Sequence, residues 1–137
     1  AMHQHLGVEQ AHLERLITHT VFSLEGGAAA AGRLITRGAT AVICGSDLMA
    51  LGAIRQARAM GRSVPGDFSV VGYDDSTMMA FTDPPLTTIR QAVDAMGDAA
   101  VRALLDDIAG EGPPCAEYVF RPELVVRGST GAAPPRG

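Results

Sequence analysis

Residues 40–75 run Thr40-Ala41-Val42-Ile43-Cys44-Gly45-Ser46-Asp47-Leu48-Met49-Ala50-Leu51-Gly52-Ala53 and close with Val64-Pro65-Gly66-Asp67-Phe68-Ser69-Val70-Val71-Gly72-Tyr73-Asp74-Asp75. The first five residues form a continuous apolar run, the pattern of a parallel strand covered on both faces. Ser46-Asp47 then supplies the capping chemistry of a helix, which Gly61 ends. Turn residues fill Arg62 to Asp67, and Phe68 to Tyr73 is again apolar and β-branched. A strand, a helix and a second strand in this order imply a crossover connection and parallel neighbours.

Outward from this unit the cycle extends in both directions. Upstream, Leu16-Ile17-Thr18-His19-Thr20-Val21-Phe22 reads as a further strand. It stops at Ser23, which caps a helix running to Arg37 with Gly38 behind it. The expected order is therefore βαβαβ, a parallel sheet with helices on its faces. Downstream, residues 76–86 read as a long loop holding Pro84-Pro85. Val93, Met96, Gly97, Ala100, Leu104 and Ile108 then recur at helical spacing, and Gly110 to Pro114 ends that helix. Tyr118-Val119-Phe120 and Leu124-Val125-Val126 read as two short closing strands, and residues 131–137 as a disordered tail. Leu6 to Leu16 is weakly helical.

The length of 137 residues, with 47% apolar and 19% charged residues, suits one folded α/β domain. A net charge of −4, with eleven arginines and no lysine, leaves no basic footprint for gripping nucleic acid. Cys44 and Cys115 are too few and too far apart for a disulfide framework, which points to a reducing, cytoplasmic setting. No run of eighteen apolar residues and no signal-peptide order is present, so no membrane role is expected. The opening Ala1-Met2-His3-Gln4-His5 reads as an artificial or frayed start, and residues 1–130 as one lobe.

In an open parallel sheet, ligands sit beyond the carboxyl ends of the strands. Those ends are Phe22, Ser46-Asp47 and Tyr73-Asp74-Asp75. An aromatic face, a hydroxyl and carboxylates without a cationic clamp suit a neutral polyhydroxylated ligand, stacked on the ring and hydrogen-bonded through its hydroxyls. Each residue also has a plainer role: Phe22 as core, Ser46 and Asp47 as helix caps, Asp74 and Asp75 as solvated turn residues. Enzyme chemistry is less well supplied. Cys44-Gly45-Ser46-Asp47-Leu48 departs from G-x-S-x-G, all four histidines precede residue 20, and neither G-x-G-x-x-G nor a P-loop occurs. The adjacent acids resemble a phospho-acceptor site, but that chemistry uses a lysine. His3 and His5 lack further ligands, so no metal and no cofactor are expected. Cys44, inside an apolar strand, reads as a small buried hydrophobe.

Ser46 to Ala53, Val64 to Asp75, Asp83-Pro84-Pro85-Leu86-Thr87-Thr88-Ile89-Arg90-Gln91 and Pro122-Glu123-Leu124-Val125-Val126-Arg127-Gly128-Ser129-Thr130 together resemble the C-terminal half of the lactose/galactose-repressor (LacI/GalR) family. The resemblance covers roughly Phe22 to Thr130. It implies the flavodoxin-like C-terminal lobe of a periplasmic-binding-protein-like fold, belonging to a bacterial transcriptional regulator and not to an enzyme. Phe22, Ser46 and Asp74 match the family's effector-cleft positions. A homodimer is implied, with Leu48, Leu51, Arg55, Met78 and Phe81 as its surface. Operator DNA would be reached only through an N-terminal domain absent here. Two departures stand out: Ser46 occupies a position where the family often has Asn, and Gln4-His5 stands near Leu6-Gly7, where an effector-contacting arginine is usual. The competing reading is a lobe of a periplasmic-type solute-binding protein.

Overall fold

The computed structural model describes residues 15–110 and 117–133. Ser23, in extended backbone, accepts the Gly26 N–H on its Oγ at 2.9 Å and starts helix α1, Leu24–Thr36. Glu25 in the first turn and Arg33 in the last both suit the helix dipole. Strand β1 spans Ala41–Ile43. Ser46 caps helix α2, Asp47–Ala59, by accepting the Met49 N–H at 3.3 Å. Both caps stand where the sequence places them. The two helices pack in close contact: a Cβ at Gly27 would run into the Met49 backbone, and one at Gly52 into the Leu24 carbonyl.

Strand β2, Ser69–Asp74, pairs in parallel with β1, and a 3₁₀ helix at Thr77–Ala80 leads into β3, Thr87–Arg90. β3 is parallel to β2, with Asp74 opposite Arg90. Helix α3 spans Val93–Ala109 and β4 spans Glu123–Val125. β4 is antiparallel to β3, which places Glu123 beside Arg90. The sheet order is β1-β2-β3-β4. Its core lies between the sheet and the α1/α2 pair, where Ile35, Ala53, Ile54, Phe68, Val70 and Leu86 are buried.

Four sequence expectations change. Leu16 to Phe22 forms no strand: Arg15 and Leu16 are helical, and Ile17 to Val21 have no regular structure. Ile17 and Val21 are exposed, without a ladder partner among the described residues, and β propensity alone does not make a strand. Strand β1 is covered on one face only among the described residues. Val42 and Cys44 pack into the core, while Ile43 between them is 73% exposed on the other face. Thr87–Arg90, between the expected loop and helix, is a further strand, and three of its four residues are β-branched. Of the two closing strands only Glu123–Val125 forms, and Tyr118 to Phe120 has no ladder partner among the described residues.

Helix α3 forms where the periodicity predicts, with Gly110 in left-handed backbone at its end, yet none of its residues is buried. Its stripe of Val93, Met96, Leu104 and Ile108 faces solvent. In the 131–137 segment, the Gly131 N–H donates to Ser69 Oγ at 3.1 Å. Readings on residues 1–14, on Cys115 and on 134–137 lie outside the described residues.

Candidate functional site

The carboxyl ends of β1 and β2 carry Ser46 and Asp74, while Phe22 ends no strand and stands just before α1. Phe22 is 73% exposed, so it is a surface residue and not core. A Cβ built on Gly45 would stand 3.2 Å from Phe22 Cζ, so the missing side chain lets the ring lie against the turn from β1 into α2. Ser46 follows directly, half-buried, with its oxygen used as the cap of α2.

Asp47 is not a second solvent-facing acid. It is 3% exposed and points across β2. Its Oδ2 accepts the Ser76 N–H at 2.8 Å and the Ser76 hydroxyl at 2.9 Å, while Oδ1 accepts the Thr88 hydroxyl at 2.6 Å. Gly72 makes this crossing possible, because a Cβ there would collide with Asp47 Oδ1 and stand 2.8 Å from Leu86 Cδ2. A glycine inside a strand is the one sequence signal that could have revealed it. The same bonds tie Ser76 to α2, so the Phe22–Ser46 corner and the turn after β2 belong to one edge.

Asp74 ends β2, and its side chain is exposed. Gln91 Nε2 donates to Asp74 Oδ1 at 2.9 Å. Its backbone has φ of 109°, and Asp75 follows with φ of 55°. Consecutive non-glycine residues in left-handed backbone are strained by about 1–3 kcal/mol each and persist where the surroundings over-determine them. Asp75 is the inward member of the pair. Its side chain is 6% exposed, and its Oδ2 accepts from Arg90 Nε at 2.7 Å. Arg127 Nη2 stands 2.7 Å from Oδ1, an ion pair off the hydrogen-bond axis. Burial works to raise the Asp75 carboxyl's pKa, but the Arg127 and Arg90 guanidiniums outweigh it and hold the pKa below its ordinary value. Sequence reading named Asp75 only as part of the acid pair and missed Gln91, Arg90 and Arg127, which arrive from residues 15 to 52 positions further along the chain.

Burial pushes the Cys44 thiol up to about 12, so it is an inert hydrophobe as expected. Among the described residues no cluster of three His, Cys, Asp or Glu side chains could hold a metal, and no helix is long and apolar enough to cross a membrane.

Residues 3–130 match the family model described as a periplasmic binding protein-like domain. The chain belongs to the periplasmic binding protein-like domain family. Its relatives are LacI-type regulators. It is 60% identical over 130 residues to the HTH-type transcriptional regulator MalR of Streptomyces coelicolor, covering 94% of this chain and 38% of the relative. Among solved structures it superposes with a TM-score of 0.84 on the transcriptional regulator CelR–cellobiose complex, at 40% identity, covering 93% of this chain and 39% of that one. With the lac repressor dimer bound to operator and the anti-inducer ONPF the TM-score is 0.75 at 34% identity, covering 82% and 40%. The chain therefore spans about 38% of the length of the MalR relative.

In this periplasmic binding protein-like domain the second set of candidate residues stands on α2 and on and after the 3₁₀ helix. Leu48, Leu51 and Arg55 lie along one side of α2, where Leu48 is 49% exposed, Leu51 half-buried and Arg55 exposed. Met78 and Phe81 on and after the 3₁₀ helix are 66% and 79% exposed, whereas Met79 between them turns into the core. The Asp47–Ser76 bonds and an Arg58–Asp83 ion pair at 3.3 Å hold the 3₁₀ segment to α2 at both ends.

Proposed function

We propose that this chain is the effector-binding and dimerisation part of a bacterial DNA-binding transcriptional regulator, a repressor, that senses a neutral sugar or polyol. The observation that carries the reading is Asp74: an exposed carboxylate, held in left-handed backbone at the carboxyl edge of the sheet, with an exposed aromatic ring and a hydroxyl at the neighbouring strand end. Phe22 stacks on the apolar face of the ring, Ser46 offers its hydroxyl, and Asp74 accepts hydroxyl hydrogen bonds. Bonds to a charged acceptor are each worth about 1.5–3 kcal/mol. The CelR relative was solved with cellobiose, and the relatives' names are those of transcriptional regulators, which favours this reading over a solute-binding lobe. The protein works in the cytoplasm and needs no cofactor, and its operator contacts are made by a part outside this chain.

In the intact regulator, Asp74→Ala should abolish release of operator DNA by the effector, probed with cellobiose and maltose, while leaving operator affinity unchanged. An unaltered dose-response would overturn the assignment. Leu48, Leu51, Arg55, Met78 and Phe81 form the two-fold surface in this reading, because Leu48, Met78 and Phe81 are apolar side chains left exposed on a side of α2 and the 3₁₀ segment, with half-buried Leu51 and exposed Arg55 beside them.

A further inference from the structure

We infer that Asp75 with Arg127 and Arg90, and Asp47 with Ser76, are positioning residues whose two clamps hold Asp74 in the backbone from which it meets the effector. The inference rests on the proposed effector role of Asp74 and adds how that carboxylate is presented.

Asp74 cannot hold its own conformation. Its side chain makes one exposed hydrogen bond, to Gln91, and its φ of 109° lies in a region that non-glycine residues rarely adopt. The restraint has to come from the next two residues, and both are fixed by buried carboxylate chemistry. Residue 75 is held through its side chain, with one guanidinium at each carboxylate oxygen. Arg90 comes from the end of β3, already in register with Asp74. Arg127 follows β4 and is itself fixed: its N–H donates to Thr87 Oγ1 at 2.9 Å and its Nη1 to the Leu86 carbonyl at 2.8 Å.

Residue 76 is held from the opposite side. Both of its donors, backbone N–H and hydroxyl, go to a single oxygen of Asp47, whose other oxygen is taken by Thr88. Asp47 is the first residue of α2, so the clamp is anchored in the best-packed helix pair, and Gly72 leaves the space that it crosses. The chain at 74–76 is thus pinned to β3, to the segment after β4 and to α2. Asp74 is the one member of the three whose side chain is drawn into neither clamp. Loss of either clamp lets the backbone return to negative φ and swings the carboxylate away, although no group that touches the effector is removed.

The test compares Arg127→Gln, Arg127→Lys and the half-exposed Arg90→Gln with the parent chain. The first readout is the intraresidue HN–Hα nuclear Overhauser effect at Asp74 and Asp75, strong at positive φ and weak at negative φ. Arg127→Gln should weaken both signals while shifts in α1 and α2 stay in place, and Arg127→Lys should restore them. Arg90→Gln should weaken the Asp75 signal even if Arg127→Gln does not fold. Unchanged signals in the folded glutamine variants would overturn the clamp. The second readout is the cellobiose and maltose dose-response of the intact regulator. Arg127→Gln should raise the half-maximal concentration at least tenfold, and Arg127→Lys should recover most of it. If Asp74→Asn leaves that response unchanged, or neither sugar acts on the parent, the effector reading fails, whereas the Overhauser signals still decide the clamp.

Discussion

Asp47, Asp74 and Asp75 show how environment separates three identical side chains. Asp47 is buried and fully hydrogen-bonded, Asp75 is buried and paired, and Asp74 is presented to solvent. The depressed pKa of Asp75 has a definite consequence for stability. A group whose folded value lies below its ordinary 3.8 stabilises the fold above that value, and the contribution is lost as pH falls through the lower folded value. Asp75→Asn should therefore lower the urea midpoint at pH 7, and the gap to the parent should narrow in acid below about pH 4. An equal gap at both pH values would contradict the pairing. Gly72→Ala tests the crossing of Asp47 over β2. Overpacking against the carboxylate and Leu86 should destabilise by roughly 1–3 kcal/mol in urea titration. Cys44 should resist thiol reagents at pH 8 until the chain unfolds, since its thiol is buried and its pKa raised to about 12.

At the level of elements, capping and packing can be separated. Ser23 and Ser46 each satisfy one N–H of a helix start, so either Ser→Ala variant should lose about 1 kcal/mol in thermal or urea melts. Helix α3 is the contrast. Its periodicity makes it amphipathic, but nothing among the described residues covers its stripe. Most helical stability in proteins comes from packing such a face. Amide exchange in the isolated chain should accordingly be much faster in α3 than in α1 and α2. Protection of α3 equal to that of α2 would show that its face is covered in solution.

For the whole molecule, the unpartnered surfaces are as informative as the core. Met78 and Phe81 project from a segment pinned to α2, and the proposed two-fold contact predicts a dimeric mass by light scattering that Phe81→Asp reduces to the monomer. A mass unchanged by that substitution would remove the surface from consideration.

Local chemistry was legible in the chain itself. Ser23, Ser46, Gly38, Gly61 and Gly110 mark helix ends through capping and left-handed backbone, and the apolar runs at 41–44 and 68–73 mark strands, because these signals act over a few residues. The placing of Ser46 just after β1 and of Asp74 at the end of β2 followed from the same order of elements, whereas Phe22 was placed at the end of a strand that does not form. Only the tertiary structure decided that Leu16–Phe22 is not a strand, that α3 is uncovered among the described residues, and that Asp47, Gly72, Gln91, Arg90 and Arg127 converge around residues 74–76. A ladder, a covered face and an ion pair each need a partner from elsewhere in the chain, and neither propensity nor periodicity says which distant residue arrives.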